Sequence, residues 1–335
     1  PARGGCHGDD HCADDGDGEH AVNSEIVTLR DAASGASAEI LVSQGFNCFR
    51  FTATAAGGPV EVIYAPADFA KGEGRPSRGG IPILFPFPGR IPGTIFTWEG
   101  KQYALDAGDA FGNAIHGFVL SRPWRILVQF DDMVVGQFDG WRDDPTLRSR
   151  WPADFRVTAS YLLRKNILHG EFLIENPCDV PLPCGFGTHP YFRLPLGGPT
   201  ADECLVKLPV AARWELKEML PTGNRLDVAN AGRLQAGERF GELELDDVFS
   251  GLHFNGDWCE TSIHDPGSRC TLTQRFDRAF RECVVYTPPH REAICIEPYT
   301  CVPGAFNLHV RGIDVGLRIV PPGESFRAVV EIEVT

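Results

Sequence analysis

Five ionisable residues stand at the ends of apolar, strand-like runs: Arg90, His116, His189, Asp247 and Glu297. Two imidazoles, two carboxylates and a guanidinium are a set that can hold a polyol and move its protons. Two of them share a local pattern. Ala293-Ile294-Cys295-Ile296 leads into Glu297 and then Pro298, and the stretch Gly185–Phe192, GFGTHPYF, leads into His189 and then Pro190. Proline fixes its own φ and pushes the residue before it toward extended geometry. Glu297 is therefore expected at a strand end with apolar residues behind it. A carboxylate in such surroundings has a raised pKa and can serve as a base near neutrality. The bland alternative is a surface acid at a loop entry. The working expectation is that His189 and Glu297 face each other across one pocket.

A divalent metal held by His116, His189 and Glu297 is a second use of the same groups. No short-range ligand pair such as HxH supports it, so no metal and no cofactor are expected. Familiar nucleotide, hydride-transfer and hydrolase signatures are missing: there is no GxxxxGK[ST], no GxGxxG, no GxSxG and no HExxH. His116 precedes a glycine, which lets chain or ligand come close. Asp246-Asp247, ahead of Val248-Phe249, read equally as a solvated turn.

Residues so far apart need a fold to gather them. From residue 24 onward short β-prone runs follow one another, among them Asn47–Thr52, Phe155–Tyr161, Ile167–Glu175 and Ser325–Ile332. Thr94–Leu105, with Glu99-Gly100 in its middle, predicts a hairpin, and Trp124–Phe130 predicts a partner in Met133–Phe138. Three prolines in Ile81–Ile91, IPILFPFPGRI, forbid a helix there. Helical periodicity rarely exceeds two turns. The expected fold is all-β, one large twisted antiparallel sandwich over residues 24–335, whose concave face suits a carbohydrate.

Residues 1–23 are set apart. Residues 1–20 contain six acids and one arginine, no aromatic residue and three histidines, and the segment is expected to be disordered. The chain carries a net charge of −14, of which this tail supplies −5. So acidic a body argues against nucleic acid or an anionic membrane as partner, though not against a sugar phosphate bound by a few local arginines. The 11 cysteines show no CxxC pair, no signal-peptide pattern is evident, and no apolar run is long enough to span a bilayer. A reducing, cytoplasmic location is the expectation; oligomeric state is open.

Taken together, GFGTHPYF at 185–192, IEPYTCVPGAFNL at 296–308, HGFVLSRPWRI at 116–126, FPFPGRI at 85–91 and LDDVF at 245–249 resemble the aldose 1-epimerases, or galactose mutarotases, from about residue 25 to the end. The chain is also similar to the glucose-6-phosphate 1-epimerase branch. The resemblance implies a β-supersandwich and an acid–base isomerase without a cofactor. It implies that His189 protonates the ring oxygen, Glu297 takes the proton of the anomeric hydroxyl, His116 assists binding and proton handling, and Arg90 and Asp247 hold sugar hydroxyls. Asp247 is preferred to Asp246 because it lies directly before Val248-Phe249. The acid and base are expected on different sides of the C1–O5 unit, in opposite protonation states. For a phosphorylated substrate, Arg122, Arg125 and Lys101 are the candidate rim cations. A sugar-binding protein without catalysis is the rival on the same fold, and a glycoside hydrolase is a third option.

Overall fold

A computed structural model describes residues 25–229 and 231–335. The expected disordered tail at 1–23 lies outside the described residues.

Nearly all regular structure is antiparallel strand, and among the described residues no α-helix exceeds six residues. A ten-stranded sheet runs in the order Arg125–Gln129, Met133–Asp139, Arg156–Arg164, Ile167–Glu175, Ser325–Val334, Cys270–Asp277, Trp258–Asp265, Leu205–Lys207 and Glu238–Arg239, with Phe254–Asn255 attached to Trp258–Asp265. Alternation explains the centre of this sheet. Arg156–Arg164 and Ile167–Glu175 bury every second side chain, and pair residue for residue from Arg156 with Glu175 to Arg164 with Ile167. The buried set, including Val157, Tyr161, Phe172 and Ile174, joins one apolar core that reaches from Val27 to Val334. The predicted hairpin forms at Ile95–Trp98 and Lys101–Ala104, with Trp98 opposite Lys101 across Glu99-Gly100.

An eight-stranded sheet carries the site. Its strands are labelled here with those that flank it: β1 (Ile83–Leu84), β2 (Arg90–Ile91), β3 (Ala114–Ile115), β4 (Gly187–Thr188), β5 (Tyr191–Arg193), β6 (Asp246–Ser250), β7 (Glu282–Tyr286) and β8 (Ala293–Tyr299). The order is Leu220–Asp227, Ala212–Lys217, β6, β7, β8, β4, β1, with β5 also on β8; β2 and β3 form a separate pair. β8 is buried along its whole length. It does not end at Glu297: Pro298 pairs with Cys283 and Tyr299 with Glu282, so the strand runs through the proline. Both faces of β8 are covered, and each carries a different population. Ile294 and Ile296 enter the main core. Ala293, Cys295, Glu297 and Tyr299 point the other way.

Candidate active site

Sheet register brings His189 to Glu297. Gly187 on β4 is opposite Tyr299, and Tyr191 on β5 is opposite Cys295. Counting inward from either side, residue 189 falls opposite Glu297. Gly187 has no side chain for a reason: a Cβ there would sit 2.5 Å from the Tyr299 ring. The His189 Nε2 and Glu297 Oε1 atoms are 3.3 Å apart, and both side chains are almost sealed from solvent, with 7% and 2% exposure. Tyr299 Oη donates to Glu297 Oε2 at 2.6 Å, which leaves Oε1 as the oxygen turned toward the imidazole. Tyr191 stacks on His189 with ring centres 4.9 Å apart.

Burial acts on the two partners in opposite directions. It drives the Glu297 carboxyl well above the ordinary range; the Tyr299 hydroxyl opposes the rise, Asp246 adds to it and Arg90 opposes it. It brings His189 down to about 3. Burial thus works against the charged form of each partner, and so against the charged pair that the resemblance implies. The groups do not flank a gap. They touch, side by side, on one face.

His116 and Arg90 come from the neighbouring strand pair. Arg90 is opposite Ile115, and the His116 amide donates to the Gly89 carbonyl at 2.8 Å. The His116 ring meets the His189 ring edge-on at 5.4 Å. Burial first, then His189 and Arg90, hold its pKa well below the usual value. The Nδ1 atoms of both histidines are buried with no hydrogen-bond partner. His116 has φ of 66° and Gly117 φ of 75°. A side chain on Gly117 would strike the Phe85 carbonyl, so the glycine here admits chain, not ligand. Arg90 is steered by Asp109, whose Oδ2 accepts from its Nε at 2.8 Å. Burial pushes the Asp109 carboxyl up, but donors from Asn113, Arg90 and Phe111 outweigh it and hold it below the ordinary value.

Asp247 is not brought to this group. The register pairs Asp246 with Tyr286 and Tyr286 with Cys295, while Asp247 follows Val285 and Ile296. Directly opposite residues share a face, so Asp246 stands on the Glu297 side and Asp247 on the other. Asp247 accepts from Arg213 Nη1 at 2.9 Å instead. Asp246 meets solvent at the rim, and the walls around it raise its pKa; Arg90 opposes that rise and Asp247 adds to it. Of the two acids, Asp246 and not the expected Asp247 shares the Glu297 face. The preference for Asp247 rested on adjacency to Val248, whereas the pleat assigns sides by parity.

Tyr299 and Arg78 escaped the sequence reading, which had Tyr191 only as an aromatic that either shapes the pocket or packs the core. Only geometry gives the two tyrosines a contact. Arg78 lies close enough to Tyr286 to favour its phenolate and has no ion-pair partner among the described residues. By contrast, the rim cations named from sequence are engaged elsewhere. Arg122 donates to Asp144 at 2.8 Å, Arg125 grips Asp143 at 3.0 Å, and the Lys101 ammonium lies over the Tyr103 ring.

Comparisons with known proteins show the family and the fold. A family model described as aldose 1-epimerase matches residues 60–333. The uncharacterised protein YihR of Escherichia coli is 24% identical over 240 residues, covering 70% of this chain and 72% of that protein. A galactose mutarotase-like protein from Clostridium acetobutylicum superimposes with a TM-score of 0.80 at 22% identity, over 93% of this chain and 98% of the other. A putative aldose 1-epimerase from Escherichia coli K12 gives 0.73 at 19% identity, over 93% and 99%. The twisted antiparallel supersandwich expected from the sequence is the fold these structures share.

Proposed function

Because the chain belongs to the aldose 1-epimerase family, we propose that it interconverts the α and β anomers of an unphosphorylated aldose by opening and closing the ring. One observation carries the reading: a buried imidazole and a buried carboxyl in contact at 3.3 Å, with Arg90 and Asp246 above them. The anomeric hydroxyl oxygen and the ring oxygen are bonded to the same carbon. A base and an acid that touch can therefore serve both oxygens from one side.

The resting pair holds one mobile proton, on Glu297. With Arg90 and the sugar hydroxyls supporting the carboxylate, that proton crosses to His189 and leaves a carboxylate beside an imidazolium. Glu297 Oε1 then takes the proton of the C1 hydroxyl. The C1–O5 bond breaks as the carbonyl forms, and His189 Nε2 gives its proton to O5. Rotation about C1–C2 turns the other carbonyl face toward O5, and closure runs the transfers in reverse. Each positioned transfer contributes roughly 10²–10⁴-fold. Burial that looks unfavourable for either residue alone keeps the pair's proton count at one: losing that proton, or gaining another, leaves a net charge in a dry site. Tyr299 aims the carboxylate, Arg90 and Asp246 hold ring hydroxyls, and neutral His116 offers Nδ1 to the sugar.

What supports catalysis over binding alone is that contact, which a sugar-binding site does not need. A hexose 6-phosphate is the second reading. Arg78 favours it, while the pairing of Arg122 and Arg125 with carboxylates disfavours it. Anomer-exchange NMR on glucose, galactose and glucose 6-phosphate separates the cases. Faster exchange of a free aldose, unaffected by Arg78→Ala, is expected. Acceleration confined to the phosphate ester and lost in Arg78→Ala would establish the second reading. Sugar binding without acceleration of any anomer would leave only a binding protein.

A further inference from the structure

The proposed reaction leaves one ligand atom of the site unused. Cys295 is fully buried, opposite both Tyr191 and Tyr286. Its sulfur, a ring nitrogen of His189 and a carboxyl oxygen of Glu297 all lie within 4.8 Å of one another. Thiolate, imidazole and carboxylate are the ligands of tetrahedral zinc, and three of them leave a fourth position open. Metal–ligand bonds of about 2.0–2.3 Å place neighbouring donor atoms of a tetrahedron about 3.3–3.7 Å apart. The Nε2–Oε1 separation is already 3.3 Å. The sulfur, no more than 4.8 Å from either donor, has to close by at most about 1.5 Å.

Charge points the same way. All three side chains are buried, and a buried site resists net charge. A divalent cation with one thiolate, one carboxylate and a neutral imidazole sums to zero, which removes that objection. The outer bond that orients a ligating carboxylate is present too, from Tyr299 Oη to Oε2.

We propose that His189, Cys295 and Glu297 form a latent site for a zinc-class divalent cation, which closes the catalytic pair to sugar. Nε2, Sγ and Oε1 each donate an electron pair to the metal; the thiol and carboxyl protons leave to solvent; no electron is transferred. The ion faces Tyr191, Tyr286, Tyr299, His116, Arg90 and, at the rim, Asp246. The site stands on its own geometry, and only its inhibitory effect rests on the epimerase reading.

The test uses the full chain carrying Cys6→Ser and Cys12→Ser, which removes the two thiols of the acidic tail. Cobalt is titrated as the coloured stand-in for zinc. One equivalent is expected to give a thiolate-to-cobalt charge-transfer band and tetrahedral d–d absorption, both displaced by zinc and absent in Cys295→Ser. Cys295→Ala serves if the serine variant fails to fold. In anomer exchange, zinc is expected to slow the protein at least tenfold and EDTA to reverse it. Cys295→Ser keeps its metal-free rate and needs at least tenfold more zinc. A missing thiolate band, a band that survives Cys295→Ser, or equal zinc inhibition of both proteins would overturn the proposal. A Cys295-dependent band in a protein that exchanges no sugar would uphold the metal site and defeat the epimerase reading.

Discussion

Two buried glutamates occupy one face of the same sheet and live differently. Glu297 and Glu282 are 2% and 1% exposed. Glu282 sits opposite Tyr299, two pairs along from Val284 and Glu297. At the Glu282 end the carboxyl accepts from Trp214 Nε1 at 3.0 Å, and the Arg225 guanidinium lies over the Trp214 ring at 4.4 Å. Burial raises its pKa to about 7, against Trp214, Arg225, Arg281 and Ser250. At the Glu297 end the neighbour is an imidazole rather than an indole. Equal burial of identical side chains gives a carboxyl held by an indole in one place and, in the other, one set against an imidazole, the pair proposed to exchange a proton. The deciding variable is whether the group opposite can take the proton.

The largest expected break in this comparison is Glu297→Gln against Glu282→Gln. The first should lower anomer exchange by about 10³-fold while sugar still binds, as loss of one positioned proton transfer implies. The second should leave exchange within a factor of a few. Equal losses in both would erase the distinction. Next is the pair on β6. Asp246→Asn should raise the apparent KM about tenfold, the size of a lost charged hydrogen bond, and Asp247→Asn should not; the reverse result would restore the assignment made from sequence. Tyr299→Phe should cost about fivefold in kcat with KM little changed, since it loosens the aim of Glu297 without touching the sugar.

The smallest effect concerns stability. Glu282 keeps its proton in the native state up to about pH 7, whereas its ordinary value is 4.5. Between those values the native chain binds more protons than the unfolded one, so stability is fully present below about pH 4.5 and is lost as pH rises through 7. Glu282→Gln removes that slope. The Tm of the parent relative to the variant should fall from pH 5 to pH 8, and parallel curves would show that Glu282 does not titrate there.

Much of the fold was legible because its signals are local. Alternation marked Phe155–Tyr161, which falls largely within the strand Arg156–Arg164, and Ile167–Glu175, and turn chemistry marked the hairpin at Glu99-Gly100. Val315–Val320 was less legible: only Arg318–Val320 is strand, and no alternation distinguishes the residues before it. The run Val228–Glu244, irregular to the eye, contains the short helix Ala231–Ala236, which a single buried residue, Leu234, hardly announces.

By itself, the sequence determined which residues can do the chemistry: a histidine and a glutamate, each extended before a proline, and an arginine at the end of a proline-broken run. It offered Asp246-Asp247 as a turn or a substrate contact, but did not settle which acid faces the pocket. Tertiary structure decided that, because a side is defined only by the strand opposite, and the partners of Asp246 and Asp247 lie some 40 residues on. It also decided that His189 and Glu297 touch, and that Cys295 stands within 4.8 Å of them. Distances between residues far apart in the chain follow from sheet register, which long-range pairing sets and no local preference encodes.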